Sequence, residues 1–333
     1  MNQPKTWGIL GTSFISGVMA EAITADGQSQ IHAIAGRRPE PRQALAEQYD
    51  IPVQYDSYEA LIADEAVDII YIALPNHLHH TYVIKAASAG KAILCEKSLA
   101  VDMAQTDAAL EAVHRHQVFF AEGLMYLNHP LAARICQILQ AGEIGEIRAI
   151  QGQYTAAIAQ FVNPDSKGAL FNLGCYPASL LQLILQQCIG EQAVTDYQIS
   201  ATGRKGSDGN LCESIANIRF GNGIMAQLHT AEDYGLHASL TILGTTGSLQ
   251  VVTNPWLPTQ VNQLRLTQYE QAETLITVDA EGDGFLYQVR AVLAALGAGE
   301  KALTRPAARP KDSRQIMQLL TDWEAAAQAN PMP

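Results

Sequence analysis

Through the first third of the chain, short runs of β-branched and aromatic residues alternate with segments of helical periodicity. βαβ units joined into a parallel sheet require this rhythm. Trp7-Gly8-Ile9-Leu10 predicts a first strand, followed by the turn Gly11-Thr12-Ser13 and a helix over 14–25. Ile31-His32-Ala33-Ile34-Ala35 predicts a second strand and 41–49 a second helix. Asp56 and Glu59 have capping-box spacing and predict a short helix carrying Ala60, Leu61 and Ile62. Asp68-Ile69-Ile70-Tyr71-Ile72-Ala73 is almost wholly apolar, as a strand covered on both faces must be. It ends at Leu74-Pro75-Asn76, where a helix toward Ala89 begins. Gly90 closes that helix, residues 92–95 make another strand, and Glu96-Lys97-Ser98 stand just beyond its end. A helix over 103–116 and a strand over 118–121 complete the series.

After Glu122 the rhythm changes. Helical patterns at 131–141 and 176–187 give way to alternating runs, among them 215–220 and 238–243, separated by the turns Gly221-Asn222-Gly223 and Gly244-Thr245-Thr246-Gly247. Strands joined directly to one another predict an antiparallel sheet with helices on one face. Amphipathic helices are predicted at 285–296 and 313–327. The fold class is α/β: a doubly wound parallel sheet over residues 1–122, then an α+β domain over 123–333 built on an open, mostly antiparallel sheet.

Composition narrows the function. The chain has 333 residues, with 33 acidic against 21 basic side chains and a net charge of −12, so it lacks the clustered cations of a general nucleic-acid binder. The five cysteines are scattered and never form a CxxC pair, which argues against a disulfide framework or a zinc site. No apolar stretch reaches the roughly 20 residues that span a bilayer, and the N-terminal run is too short for a signal peptide. A reduced, cytoplasmic protein is expected, with no nucleic-acid or membrane partner and no bound metal.

A strand running into Gly11-Thr12-Ser13-Phe14-Ile15-Ser16 and then a helix has the layout of a dinucleotide-binding turn, where backbone N–H groups and the helix dipole receive a pyrophosphate. Ser13 and Ser16 replace the second and third glycines of that pattern, and both are small enough to preserve close approach. A tight turn in an α/β protein without a nucleotide would look the same. The second strand ends in Ala35-Gly36-Arg37-Arg38, with no carboxylate to bind ribose hydroxyls or repel a 2′-phosphate. Guanidinium groups bind phosphate through paired hydrogen bonds, so Arg37 and Arg38 favour NADP(H) over NAD(H) unless they are only a solvated surface pair.

Gly11-x-Ser13-x-x-Ser16, Ala73-Leu74-Pro75-Asn76-His77-Leu78-His79 and Gly90-Lys91-Ala92-Ile93-Leu94-Cys95-Glu96-Lys97 together resemble the Gfo/Idh/MocA oxidoreductase family. The resemblance continues through Glu122-Gly123-Leu124-Met125-Tyr126-Leu127-Asn128-His129-Pro130 and 168–176 to 243–249, nearly the whole chain in order. It implies a Rossmann domain, a second domain with an open sheet, and association into dimers or tetramers through that sheet. It also implies that Gly11, Thr12, Ser13, Phe14, Ile15, Leu74, Pro75, Asn76, His79, Glu96 and Lys97 border the cofactor.

The resemblance puts the family's catalytic lysine at Lys97, although Ser98 stands where proline is usual. The position suits the role, because ligands bind at the carboxyl edge of a parallel sheet and desolvation makes an ammonium a readier proton donor. Tyr176 matches the tyrosine branch of the family's second catalytic segment, and a phenol can relay a proton to a substrate oxygen. Asn172 departs from that segment, which normally carries aspartate. An amide can hydrogen-bond a hydroxyl but carries no charge. Asn128 and His129 are implied to contact substrate alongside Lys97, Asn172 and Tyr176. His77, His79 and His80 lack the neighbours that would make them a metal set. The expected function is hydride transfer between a nicotinamide and a secondary alcohol or ketone of a sugar, polyol or similar small molecule. A non-catalytic nucleotide-binding regulator and a cofactor-assisted glycoside hydrolase remain alternatives.

Overall fold

The computed structural model describes residues 4–330, so Met1, Asn2 and Gln3 of the N-terminal reading lie outside the described residues. Among the described residues two compact units emerge: 4–125 with Phe285–Thr304, and Tyr126–Gly284 with 305–330.

The first unit strings together β1 (Lys5–Leu10), α1 (Phe14–Asp26), β2 (Ser29–Ala35), α2 (Pro39–Gln48), β3 (Val53–Tyr55), α3 (Tyr58–Ile62), β4 (Ile69–Ile72), α4 (Asn76–Ser88), β5 (Ala92–Cys95), α5 (Met103–His116) and β6 (Phe120–Glu122). All six strands run parallel in the order β3-β2-β1-β4-β5-β6. This is the doubly wound order, in which the crevice outside the carboxyl ends of β1 and β4 marks the ligand side. Every residue of β4 is buried, as its unbroken apolar run requires. α3 is capped by Ser57, whose Oγ accepts from the Ala60 N–H at 3.3 Å; Asp56, one residue too early, has no part in the cap. The last strand starts two residues later and ends one residue later than its apolar run suggested, so that Glu122 closes it. Phe285–Thr304 also belongs to this unit, although chain order alone assigns it to the second. Phe120 donates its N–H to the Lys301 carbonyl at 3.0 Å and bridges Ala302 in parallel.

The second unit contains α6 (Pro130–Gln140), β7 (Ile147–Ala156), α7 (Cys175–Cys188), β8 (Tyr197–Lys205), β9 (Leu211–Phe220), β10 (Met225–Ala231), β11 (Leu236–Gly244), β12 (Gly247–Val251), β13 (Val261–Gln268) and β14 (Thr274–Asp279). α8 (Gly284–Gly297) carries the chain back to the first unit, and α9 (Pro310–Ala329) ends in the second. The eight strands lie in the order β14-β13-β12-β11-β7-β10-β9-β8. Only β7 and β10 pair in parallel; all other neighbours are antiparallel. α7 and α9 cover one face. On β9 and β10 the opposite positions Ile215, Asn217, Arg219, Met225 and Gln227 are exposed, so the strands alternate as a one-sided sheet must.

Candidate active site

Gly11 anchors the candidate nucleotide turn of the first unit. Its φ of +111° suits glycine, and a Cβ there would stand 2.5 Å from the Ala73 carbonyl oxygen. Its own N–H donates to Ala35 O at 2.9 Å. The chain then passes Thr12 and enters α1 with Ser13 as N-cap, no side-chain cap and no acidic residue in the first turn. The N–H groups of Phe14 and Ile15 thus lead a 13-residue helix whose positive end is uncompensated, with Phe14 largely exposed. These features fit a dinucleotide's pyrophosphate.

At the end of β2, Arg37 lies with its guanidinium carbon 5.5 Å from the centre of the Tyr58 ring, while Arg38 is the exposed N-cap of α2. Arg42, which sequence reading passed over, donates to the Gly36 carbonyl at 2.7 Å and so ties this corner to α2. Arg37 and Arg38 lie on the short loop after β2, and Arg42 lies in the first turn of α2 that follows it.

Three segments meet at the carboxyl edge of β4 and β5. Pro75 opens α4 as N-cap after Leu74, and Asn76 is buried at its first position. His79 is fully buried, with Nδ1 2.8 Å from Ser98 O and Nε2 2.6 Å from Leu74 O, so one ring spans both loops. Burial, the largest cause, pushes its pKa down to about 4 against the pull of the two carbonyls. Glu96 is 6% exposed and accepts the Tyr71 hydroxyl at 2.8 Å through Oε1, while the Lys97 N–H reaches Oε2 at 3.3 Å. Burial raises the Glu96 pKa; the Lys97 charge and the Tyr71 hydrogen bond act the other way. Lys97 is half-buried and follows directly on this carboxylate at the edge of the sheet. Glu122 accepts the Leu99 N–H at 3.0 Å and fixes the chain just beyond Ser98. Tyr71 and Glu122 escaped sequence reading as site residues because one lies inside an apolar strand and the other at a domain boundary.

In the second unit, Asn172 lies in a short π-helical turn (Leu170–Gly174) running straight into α7, four positions before Tyr176. Both residues are buried. The Tyr176 ring packs against Tyr126, Tyr154 and Trp256, with centroids 5.7, 5.2 and 6.5 Å away. The Tyr176 carbonyl accepts from the Tyr126 hydroxyl at 2.8 Å. Asn172 Nδ2 donates to Glu232 Oε2 at 2.7 Å. Asn128 ends a short 3-10 turn, and His129 follows as the N-cap of α6. Nδ1 of His129 accepts the Leu131 N–H at 3.1 Å and Nε2 lies 3.3 Å from Gly282 O, so the imidazole is engaged in holding the helix entry. Tyr154, Trp256 and Glu232 were missed by sequence reading. The signal for Glu232 was present: it continues the buried phase of β10 set by Ala226, Leu228 and Thr230.

Among the described residues, no group of three or more His, Cys, Asp or Glu side chains could hold a metal ion. No helix among them is long and apolar enough to cross a membrane.

A doubly wound parallel sheet, a glycine turn at the start of its first helix and a lysine at its carboxyl edge define a nucleotide-dependent oxidoreductase. Residues 5–124 match the oxidoreductase family with an NAD-binding Rossmann fold, and residues 132–250 match the GFO/IDH/MocA C-terminal domain. An uncharacterised oxidoreductase of Rhizobium meliloti is 32% identical over 272 residues, 78% of each chain. D-xylose 1-dehydrogenase (NADP(+)) 2 of Haloferax volcanii is 34% identical over 188 residues, 54% of this chain and 57% of that one. Trans-1,2-dihydrobenzene-1,2-diol dehydrogenase of Xenopus tropicalis is 28% identical over 262 residues, 77% of each. The solved 3-ketoreductase of Actinomadura kijaniata with NADP and TDP-benzene superposes with a TM-score of 0.86 at 24% identity, covering 99% of this chain and 100% of that one. The chain belongs to the Gfo/Idh/MocA family and is an NAD(P)-dependent oxidoreductase.

Proposed function

We propose that this oxidoreductase interconverts a secondary alcohol and a ketone on a sugar, polyol or similar hydroxylated small molecule, using NADP(H) in preference to NAD(H). The bound nicotinamide supplies the hydride chemistry. Gly11, Thr12, Ser13 and the N–H groups of Phe14 and Ile15 cradle the pyrophosphate, and Arg37 and Arg38 take the 2′-phosphate. Leu74, Pro75, Asn76, His79 and Glu96 shape the nicotinamide side. Lys97 and Tyr176 handle the hydroxyl proton, and Asn172 and Asn128 orient the substrate. His129 acts through the entry of α6.

The observation that carries this reading is Lys97 standing beside the buried Tyr71–Glu96 pair at the carboxyl edge of β5. The dehydrogenase names of relatives from Haloferax and Xenopus support the substrate class. The absence of a carboxylate after β2 supports NADP(H). We further assign the exposed face of β8–β10 as the surface through which copies associate, and the reducing cytoplasm as the setting, since none of the five cysteines is in a disulfide. The test is titration of the purified protein with NADPH and NADH, followed by absorbance at the nicotinamide band with a panel of sugars, polyols and ketones. Net cofactor oxidation or reduction with a panel member supports the reading; binding without turnover on every member, or release of an aglycone without net reduction, overturns it.

A further inference from the structure

Position 172 lacks the aspartate that the family resemblance leads one to expect, yet the structure holds a carboxylate in contact with that position. It comes from a different strand. Glu232 lies one residue past β10 and is 3% exposed. Its backbone is fixed on both sides: the N–H donates to Cys212 O at 2.9 Å, and the carbonyl accepts from Ile158 and Ala159 N–H, each at 2.8 Å. The side chain then meets Asn172, itself 7% exposed, at 2.7 Å.

An ionised carboxylate only accepts hydrogen bonds, so Asn172 must turn its nitrogen to Glu232 and present Oδ1 on the other side of the amide. Such a buried pair is a charge-assisted hydrogen bond held in one geometry. Asp208 and Asp233 are the other charges that Glu232 feels, and both act with burial in the same direction, against the Asn172 hydrogen bond.

We propose that Glu232 is the positioning carboxylate of the second unit: it fixes Asn172 so that Oδ1 accepts a hydrogen bond from a substrate hydroxyl, and it retains the negative charge absent from position 172. This rests on the reading of Asn172 as a substrate contact. The amide stands on the π-turn and the carboxylate at the end of β10, within one hydrogen bond of each other. The substrate that fits is one carrying a hydroxyl that donates to this amide oxygen.

The test compares three variants with the unaltered protein on the best substrate of the panel, recording kcat and KM separately, NADPH affinity by fluorescence and melting temperature. Glu232→Gln removes the charge and lets either amide end face Asn172, so kcat/KM should fall about 100-fold while NADPH affinity stays within twofold. Asn172→Asp alone sets two carboxylates against each other and should also lose activity. The exchange Asn172→Asp with Glu232→Gln restores one amide and one carboxylate and should return kcat/KM to within about tenfold of the original. A merely structural contact would move melting temperature and kcat/KM together in the single changes, whereas a positioning role lowers kcat/KM with the melting temperature little changed. The inference is overturned if Glu232→Gln stays within threefold of the original, if Asn172→Asp alone gains activity, or if the exchange is no better than the single changes. Should Glu232→Gln fail to fold, the exchange decides alone. Inactivity of the unaltered protein on the whole panel would overturn the functional reading and this inference with it.

Discussion

The Tyr71 phenol donates to the Glu96 carboxylate at 2.8 Å, from the middle of one buried strand to the residue just beyond the next. The hydrogen bond and the Lys97 charge favour the ionised carboxylate, and burial opposes them. Tyr71→Phe removes one of the three ionising influences, leaving the Lys97 charge and the Lys97 N–H hydrogen bond. The Glu96 pKa should rise further, and the acid limb of the pH profile of kcat/KM should move to higher pH. Stability should fall by about 1–3 kcal/mol, the ordinary cost of leaving a buried acceptor short of a partner. An acid limb that stays put would remove Glu96 from the active-site charge balance.

Lys97→Met keeps the length of the side chain and deletes its donor. Turnover should drop about 100- to 10,000-fold, the range for a general acid–base group, with NADPH affinity retained. Single-turnover absorbance and fluorescence titration separate the two, and undiminished turnover would exclude the lysine from proton transfer.

Arg37 stacks over Tyr58 at 5.5 Å and faces solvent at the end of β2. Replacing it with aspartate puts a negative charge where the 2′-phosphate is assigned. Affinity for NADPH should fall at least about tenfold more than affinity for NADH, since one charge-assisted phosphate contact contributes on the order of 1.5–3 kcal/mol. Equal losses for the two nucleotides would show that this guanidinium does not read the phosphate.

Gly11 combines a left-handed φ with 2.5 Å from a built Cβ to Ala73 O. Gly11→Ala should therefore destabilise the first unit by about 1–3 kcal/mol through backbone strain and weaken both nucleotides together. Thermal melts with and without NADPH measure both effects. A variant of unchanged melting temperature and unchanged affinity would contradict the close packing at this turn.

Burial holds the His79 pKa near 4, below its ordinary 6.5. The unfolded chain then binds the extra proton first as pH falls. The stability from keeping this ring neutral is complete above about pH 6.5 and is lost progressively down to about pH 4, in total up to about 3 kcal/mol. Urea denaturation at a series of pH values should show that loss, and His79→Gln should flatten it. An equally steep fall in the variant would assign the acid sensitivity to other groups.

Much of the first unit was legible because its signals are local. β4 announces its burial as four consecutive apolar residues, Gly11 marks the turn, and Lys97 follows a strand whose length the apolar run sets. The candidate residues of the second unit were harder to read because their contacts are far apart in sequence. Asn172 and Glu232 are 60 positions apart, and Trp256 donates its indole N–H to Gln153 O, 103 positions away. Periodicity reports which face a residue occupies but not which strand lies opposite. Asn172 therefore read as a lost charge, whereas the structure shows an amide and a carboxylate side by side. His129, a substrate contact by family resemblance, shows another long-range tie that the sequence hides: its Nε2 lies 3.3 Å from the Gly282 carbonyl oxygen, 153 positions away.

The bridge from Phe120 to Ala302 means that the outer strand of the parallel sheet is finished by a piece of chain translated long after it. A fragment cut at Met125 would leave the hydrogen-bonding groups of β6 bare along a row that another copy could join, the ordinary route to edge-to-edge aggregation. A soluble nucleotide-binding piece would thus have to carry residues 285–304 grafted back on.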